Sequence, residues 1–86
     1  MEAIWKYELQ VQGTQIIKMP LGHEILSIQM QHDVITMWAK VDKMTKERPV
    51  KIHMFGTGDD LPEFYTGDFL ATVQDGSFVW HIFKDA

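Results

Sequence analysis

Eighty-six residues suffice for one hydrophobic core and not for two, so a single domain over residues 1–86 is expected, and a chain this short hides only about 60 to 65 per cent of its unfolded surface. With no cysteine, disulfides and thiolate metal or redox sites are excluded, and eight Lys plus Arg against twelve Asp plus Glu leave a net charge of −4, the wrong sign for tracking a phosphate backbone. No run approaches the roughly 20 apolar residues of a membrane helix, and Met1 to Lys6 lacks the basic-then-apolar layout of a signal peptide. A cytoplasmic protein is therefore expected, with nucleic acid disfavoured as a partner and no membrane contact.

Residues Ile4 to Val11 alternate, with Trp5, Tyr7, Leu9 and Val11 on one face and Lys6, Glu8 and Gln10 on the other, which predicts a first strand. Gly13 allows a turn, Thr14 to Met19 reads as a second strand, and Pro20 ends it because proline donates no ladder hydrogen bond. Alternation leaves open whether Ile16 or Ile17 points inward. Glu24 to His32 predicts a third strand with Leu26, Ile28 and Met30 inside. Val34 to Asp42 predicts a fourth with Ile35, Met37, Ala39 and Val41 inside, joined to the third by a short hairpin at His32 and Asp33. Residues 43–49 are polar and read as loop.

The stretch from Arg48 to Gly58 predicts a half-buried strand, with Val50, Ile52 and Met54 opposed to Lys51, His53 and Phe55, running into a turn at Gly56-Thr57-Gly58 and two carboxylates, Asp59 and Asp60. Glycines there can take positive φ and leave amide groups open to a visitor. Phe64 to Val73 predicts a sixth strand with Tyr65, Phe69, Ala71 and Val73 on one face and a bulge or close approach at Gly67. Asp75-Gly76-Ser77 is a hairpin signal, and Phe78 to Phe83 comes next, apolar on both faces. Seven short strands spaced about ten residues apart, with no helix, predict an all-β fold, a small antiparallel β-sandwich or partly open barrel.

Trp38, Phe55, His81 and Phe83 occupy positions where a simple half-exposed sheet would carry polar groups. Something should cover them, either a loop (43–49 or 59–63) or another molecule, because apolar patches beyond a few hundred Å² mark contact surfaces. Catalytic pairings are sparse. His23, His32, His53 and His81 lack metal-binding spacing, so no metal is expected, and His53 and His81 read as hydrogen-bonded structural side chains. Asp59 and Asp60 read as turn caps rather than an acid–base pair, and neither Ser27 nor Ser77 stands in a nucleophile elbow. No enzyme activity, catalytic residue or cofactor is expected. The candidate binding residues are Trp38, His53, Phe55, Gly56, Thr57, Gly58, Asp59, Asp60, His81 and Phe83.

Ile4-Trp5-Lys6-Tyr7, Met19 to Gly22, Glu24 to Leu26, Gln31, Trp38-Ala39 with Val41-Asp42, Phe55 to Gly58, Tyr65-x-Gly67-x-Phe69 and Val79-x-His81-x-Phe83 together resemble a family of short bacteriophage and prophage proteins of unassigned function. The resemblance spans nearly the whole chain and rests on the order and spacing of the set. It implies a compact β protein made from a viral genome in a host bacterial cytoplasm, and it brings no catalytic residues to carry over. Asp59 to Glu63 departs from the family pattern, which has a His-Pro-like loop there. The expected function is a non-enzymatic binding protein acting on a host component, for instance an inhibitor of host defence, with homo-oligomer formation. Two alternatives stand beside it. One is a sponge for a small ligand or nucleotide, using the amides of Gly56 to Gly58 with Trp38 or Phe55 as a stacking surface, and the other a virion-associated structural oligomer.

Overall fold

A computed structural model describes all 86 residues. The chain forms β1 (Glu2–Glu8), β2 (Thr14–Pro20), β3 (His23–Gln31), β4 (Val34–Asp42), β5 (Glu47–Gly56), β6 (Asp68–Asp75) and β7 (Phe78–Lys84), with no helix. They pair into two antiparallel sheets, one in the order β1-β4-β3 and the other β2-β5-β7-β6. The sheets share one core and do not close into a barrel, so of the two expected architectures the sandwich is the one formed.

The core results from period-two alternation on the central strands. Ile35, Met37, Ala39 and Val41 of β4 meet Val50, Ile52 and Met54 of β5 and Ile82 of β7, all buried, with Leu9, Met19, Ile28 and Val73 completing the cluster. Fully burying an Ile, Val or Met side chain stabilises by about 1.5–3 kcal/mol, so these residues carry most of the driving force. On β2 the choice between the two isoleucines is settled by their neighbours: Gln15 and Met19 are buried, Ile17 packs on the core and Ile16 is exposed. Buried Gln15 is satisfied by the connection before it, accepting from the Gln10 amide at 2.9 Å and donating to the Gln10 carbonyl at 2.7 Å.

Four expectations are corrected. In β3 the register slips between Ile25 and Ser27, so Leu26 is a bulge residue turned out to solvent and Ile25 takes the core position expected for it. The sixth strand starts at Asp68 rather than Phe64, and a second slip between Phe69 and Ala71 puts Ala71 and Val73 toward the core while Phe69 pairs with Phe83. The first strand ends at Glu8, leaving Val11 exposed and Trp5 40 % exposed at the margin of the core. β5 starts at Glu47, which shortens the loop expected over 43–49. The remainder of it is a tight turn: the Met44 amide donates to Asp42 Oδ1 at 3.0 Å and the Thr45 hydroxyl to the Asp42 carbonyl at 2.8 Å. That amide bond favours the ionised carboxylate and holds the Asp42 carboxyl below its ordinary value.

The β3–β4 hairpin closes through His32 (φ 50°) and Asp33 (φ 65°), both left-handed, the pattern of a two-residue type I′ turn. Asp and His tolerate this region better than most residues, and the turn twist matches that of the strands it joins.

Candidate functional site

The outer face of the four-stranded sheet is where the β2-β5-β7-β6 order matters. It sets His53 of β5 opposite Phe83 of β7, Phe55 opposite His81, and Phe83 in turn opposite Phe69 of β6. Period two then directs all five side chains away from the core. Phe55 and Phe83 meet edge to face with centroids 5.7 Å apart, and Phe69 and Phe83 do so at 5.4 Å.

Cover over this face is partial and comes from the loop between β5 and β6. The ring of Tyr65 lies 5.5 Å from His53, 6.0 Å from Phe55 and 5.9 Å from Phe83. Its hydroxyl donates to Asp85 Oδ1 at 3.3 Å. Burial first, then the Asp85 charge, raises the Tyr65 phenol above its ordinary pKa. Gly67 permits this closure, because a Cβ at that position would fall inside the Tyr65 ring. The ring that covers this face is Tyr65, just beyond the second of the expected loops, while Leu61 of the expected 59–63 loop lines the cleft on the same face. Phe64, next to it, is forced the other way: its φ of 59° is left-handed, rare for an aromatic residue, and its side chain is 89 % exposed. Leu61 (50 %) and Phe69 (58 %) are also open to solvent.

Both histidines are fully engaged. His53 Nε2 lies 2.7 Å from Asp85 Oδ1 and its Nδ1 3.0 Å from the Thr14 hydroxyl. Asp85 accepts, so Nε2 carries the proton in the neutral ring and Nδ1 accepts from Thr14. His81 sits between two hydroxyls, with Thr57 Oγ1 at 2.8 Å from Nε2 and Thr72 Oγ1 at 2.9 Å from Nδ1. These bonds tie strands and loop together. Thr14, Thr57, Thr72, Tyr65 and Asp85 complete these links, and of them only Thr57 was a candidate on sequence grounds. No three His, Asp or Glu side chains converge in a way that could hold a metal ion.

The turn after β5 is likewise self-contained. Asp59 caps it, its Oδ2 accepting from the Gly56 amide at 2.7 Å while its own amide donates to the Gly56 carbonyl at 3.0 Å. Gly58 takes the positive φ (96°), and Gly56 does not. The Gly56 amide is therefore occupied by the chain's own carboxylate, which removes one of the groups expected to meet a visitor. Asp60 is exposed beside it.

Three clefts border this turn and loop. One of about 260 Å³ is lined by Phe55, Phe69, Phe83, His81, Leu61 and the Gly56–Asp59 turn. A second, about 380 Å³, lies across the turn against Phe78 and Trp80, whose rings stack at 5.8 Å. The third, about 510 Å³, runs between the 62–67 segment and Asp85, with His53 and Tyr65 in its lining.

Nine of the ten candidate residues, His53, Phe55 to Asp60, His81 and Phe83, are brought to one end of one sheet. Trp38 is not. It belongs to β4 in the three-stranded sheet and alternates with the core residues Met37 and Ala39, so it points out of the opposite face and cannot stack over the Gly56–Gly58 turn. No helix is present that is long and apolar enough to cross a membrane. No curated protein and no solved structure matches the sequence. The model of the family described as Domain of unknown function (DUF7352) matches residues 1–86, and the chain belongs to that family.

Proposed function

We propose that the protein is a non-enzymatic binding module whose contact surface is the aromatic outer face of the four-stranded sheet. The observation that carries this is the pairing of a strained, 89 % exposed Phe64 with a rigidly anchored Tyr65 beside it. A left-handed aromatic residue costs about 1–3 kcal/mol and persists only where surrounding structure over-determines it, and such positions cluster at ligand clamps. Leu61 and Phe69 extend the apolar surface from Phe64 toward the Phe55–Phe83 cleft.

The resemblance to phage and prophage proteins supports a finer proposal: the chain is phage-encoded and engages a bacterial host component, as an inhibitor of a defence factor would. The direct experiment is affinity capture in the native host with the wild type and with Phe64→Gly/Phe69→Ser. One host protein enriched by the wild type and lost with the double variant is expected. Equal capture by both would overturn the assignment of this face.

Self-association is a second proposal, and a specific observation favours it. Ile4 shares the outer face of the three-stranded sheet with Trp38, and Leu26 is turned out by the bulge beside it, both exposed. Light scattering is expected to give a mass of at least twice the 10.0 kDa chain, and Ile4→Glu should halve it. A wild-type mass of one chain would contradict this.

A further inference from the structure

Charge is distributed unevenly along this sequence. Residues 52–83 hold five carboxylates (Asp59, Asp60, Glu63, Asp68 and Asp75) and no lysine or arginine, whereas the rest of the chain holds eight cations against seven carboxylates. The net −4 is therefore −5 in that stretch and +1 everywhere else. The fold assigns this stretch to the end of β5, the covering loop, β6 and β7; Asp68 pairs with Lys84 and Asp75 lies in a cleft against Leu9 and Val11, which leaves Asp59, Asp60 and Glu63 on the turn and loop that border the aromatic face.

Resting on the binding role proposed above, we infer that the cleft between Phe55, Phe69 and Phe83 receives a single cationic side chain, an arginine or lysine, from a basic segment of the partner. Three features converge on a cation. The faces of aromatic rings carry negative potential and attract guanidinium or ammonium groups within about 6 Å of the ring centroid. Phe55, Phe69 and Phe83 all line this one space, with Phe83 inclined steeply to each of the other two rings. The carboxylate of Asp59 lines the same space; only its Oδ2 is used by the turn.

Size and sign favour a single side chain over the other occupants. At about 260 Å³ the cleft falls below the roughly 300–1,000 Å³ range of pockets that enclose drug-sized ligands, and suits one side chain. A nucleotide phosphate would meet no lysine or arginine in the lining of this cleft, the nearest cation on the same face being Lys51, which lines the neighbouring cleft beside Tyr65. Asp60 and Glu63, exposed next to Leu61 on the covering loop, make no ion pair within the chain, so their charge is free to act on an approaching partner. Complementary charge around an apolar centre fixes orientation and speeds encounter, while the apolar centre supplies the contact area. Phe64, held out at the margin of the loop, would pack on the apolar stem of the inserted side chain or on its neighbour.

The test is an NMR titration of the isotopically labelled full chain with a blocked Gly-Arg-Gly-Arg-Gly peptide, and with the same peptide carrying lysine, citrulline or glutamate in place of arginine. Citrulline keeps the shape of arginine and removes its charge. The arginine peptide is expected to shift the ring resonances of Phe69 and Phe83 and the amides of Thr57 to Asp59. Its affinity should be about tenfold above that of the citrulline peptide, and should fall with added salt. Phe69→Ser should abolish the shifts in a folded protein, since that ring is more than half exposed, and Asp60→Asn with Glu63→Gln should weaken binding and flatten its salt dependence. Equal binding of the citrulline peptide, tighter binding of the glutamate peptide, or shifts confined to other residues would each overturn the inference. So would movement of these resonances on simple dilution, which would make a second copy the occupant. Host capture that depends on Phe64 and Phe69, combined with a failed arginine titration, would leave the binding role standing and remove only the cation.

Discussion

Phe64 is held in a conformation that its own side chain disfavours, and its substitution separates contact from stability. Phe64→Gly relieves left-handed strain of about 1–2 kcal/mol and gives back about 0.5–1 kcal/mol through glycine's freedom in the unfolded chain. Urea unfolding should place the variant within about 1 kcal/mol of the wild type; a loss of more than twice that would mean the ring is a structural element. Gly67→Ala behaves oppositely. Its Cβ overlaps the Tyr65 ring, so the loop must move, at about 1–3 kcal/mol. In a Tyr65→Ala background the same change should add little, and the double-mutant cycle measures that coupling. Gly67 was legible in the sequence as either a bulge or a close approach, and it is the second, the bulge lying between Phe69 and Ala71. The partner of Tyr65 was not, because Asp85 lies 20 residues away beyond the last strand and no periodicity connects them.

Alkaline pH tests both tyrosines. Burial raises the Tyr7 phenol, with the Glu47 charge adding to it, and burial and Asp85 raise Tyr65. A folded pKa above the unfolded value of about 10 means that the folded state holds the proton more tightly. The associated stability is complete below about pH 10 and is lost as pH rises through the folded values. Tyr7→Phe and Tyr65→Phe should each flatten the decline above about pH 10 relative to wild type. The Tyr7 hydroxyl is buried without a hydrogen-bond partner, so Tyr7→Phe should also match or exceed wild-type stability at neutral pH.

At the scale of elements, the hairpin between β3 and β4 uses two non-glycine residues where the type I′ geometry prefers Asn-Gly. Replacing His32-Asp33 by Asn-Gly should raise stability by about 0.5–2 kcal/mol with no change in the aromatic face. An unchanged or lower unfolding midpoint would mean that His32 or Asp33 contributes a contact beyond the turn. Strand number and the core faces of β4 and β5 could be read directly, because those strands alternate without interruption and both faces differ in polarity. The bulges in β3 and β6 could not. One inserted residue turns every later side chain of its strand to the other face, and Leu26, Ile28, Met30 mimics an unbroken alternation across the slip. Thr14 and Thr72, the partners of His53 and His81 on neighbouring strands, were hidden for a different reason, since they depend on the β2-β5-β7-β6 order, which spacing along the chain does not encode.

For the molecule as a whole, the two outer faces differ. One carries the rings of Phe55, Phe69 and Phe83 within the 52–83 stretch that has no lysine or arginine, and the other carries Trp38 and Ile4 among Lys6, Lys40, Glu8 and Gln29. That asymmetry is why one sheet is assigned to recognition, and why grouping Trp38 with the phenylalanines from sequence alone failed: both are second-face aromatics, but of different sheets. The most direct measurement is site-specific photo-crosslinking in the proposed bacterial host, with benzoylphenylalanine placed in turn at position 69 and at position 38 of the full chain. A discrete adduct with one host protein from position 69, and none from position 38, is the predicted result. Adducts from position 38 alone, or none from position 69 while the protein is folded and abundant, would contradict the assignment of the aromatic face as the binding surface.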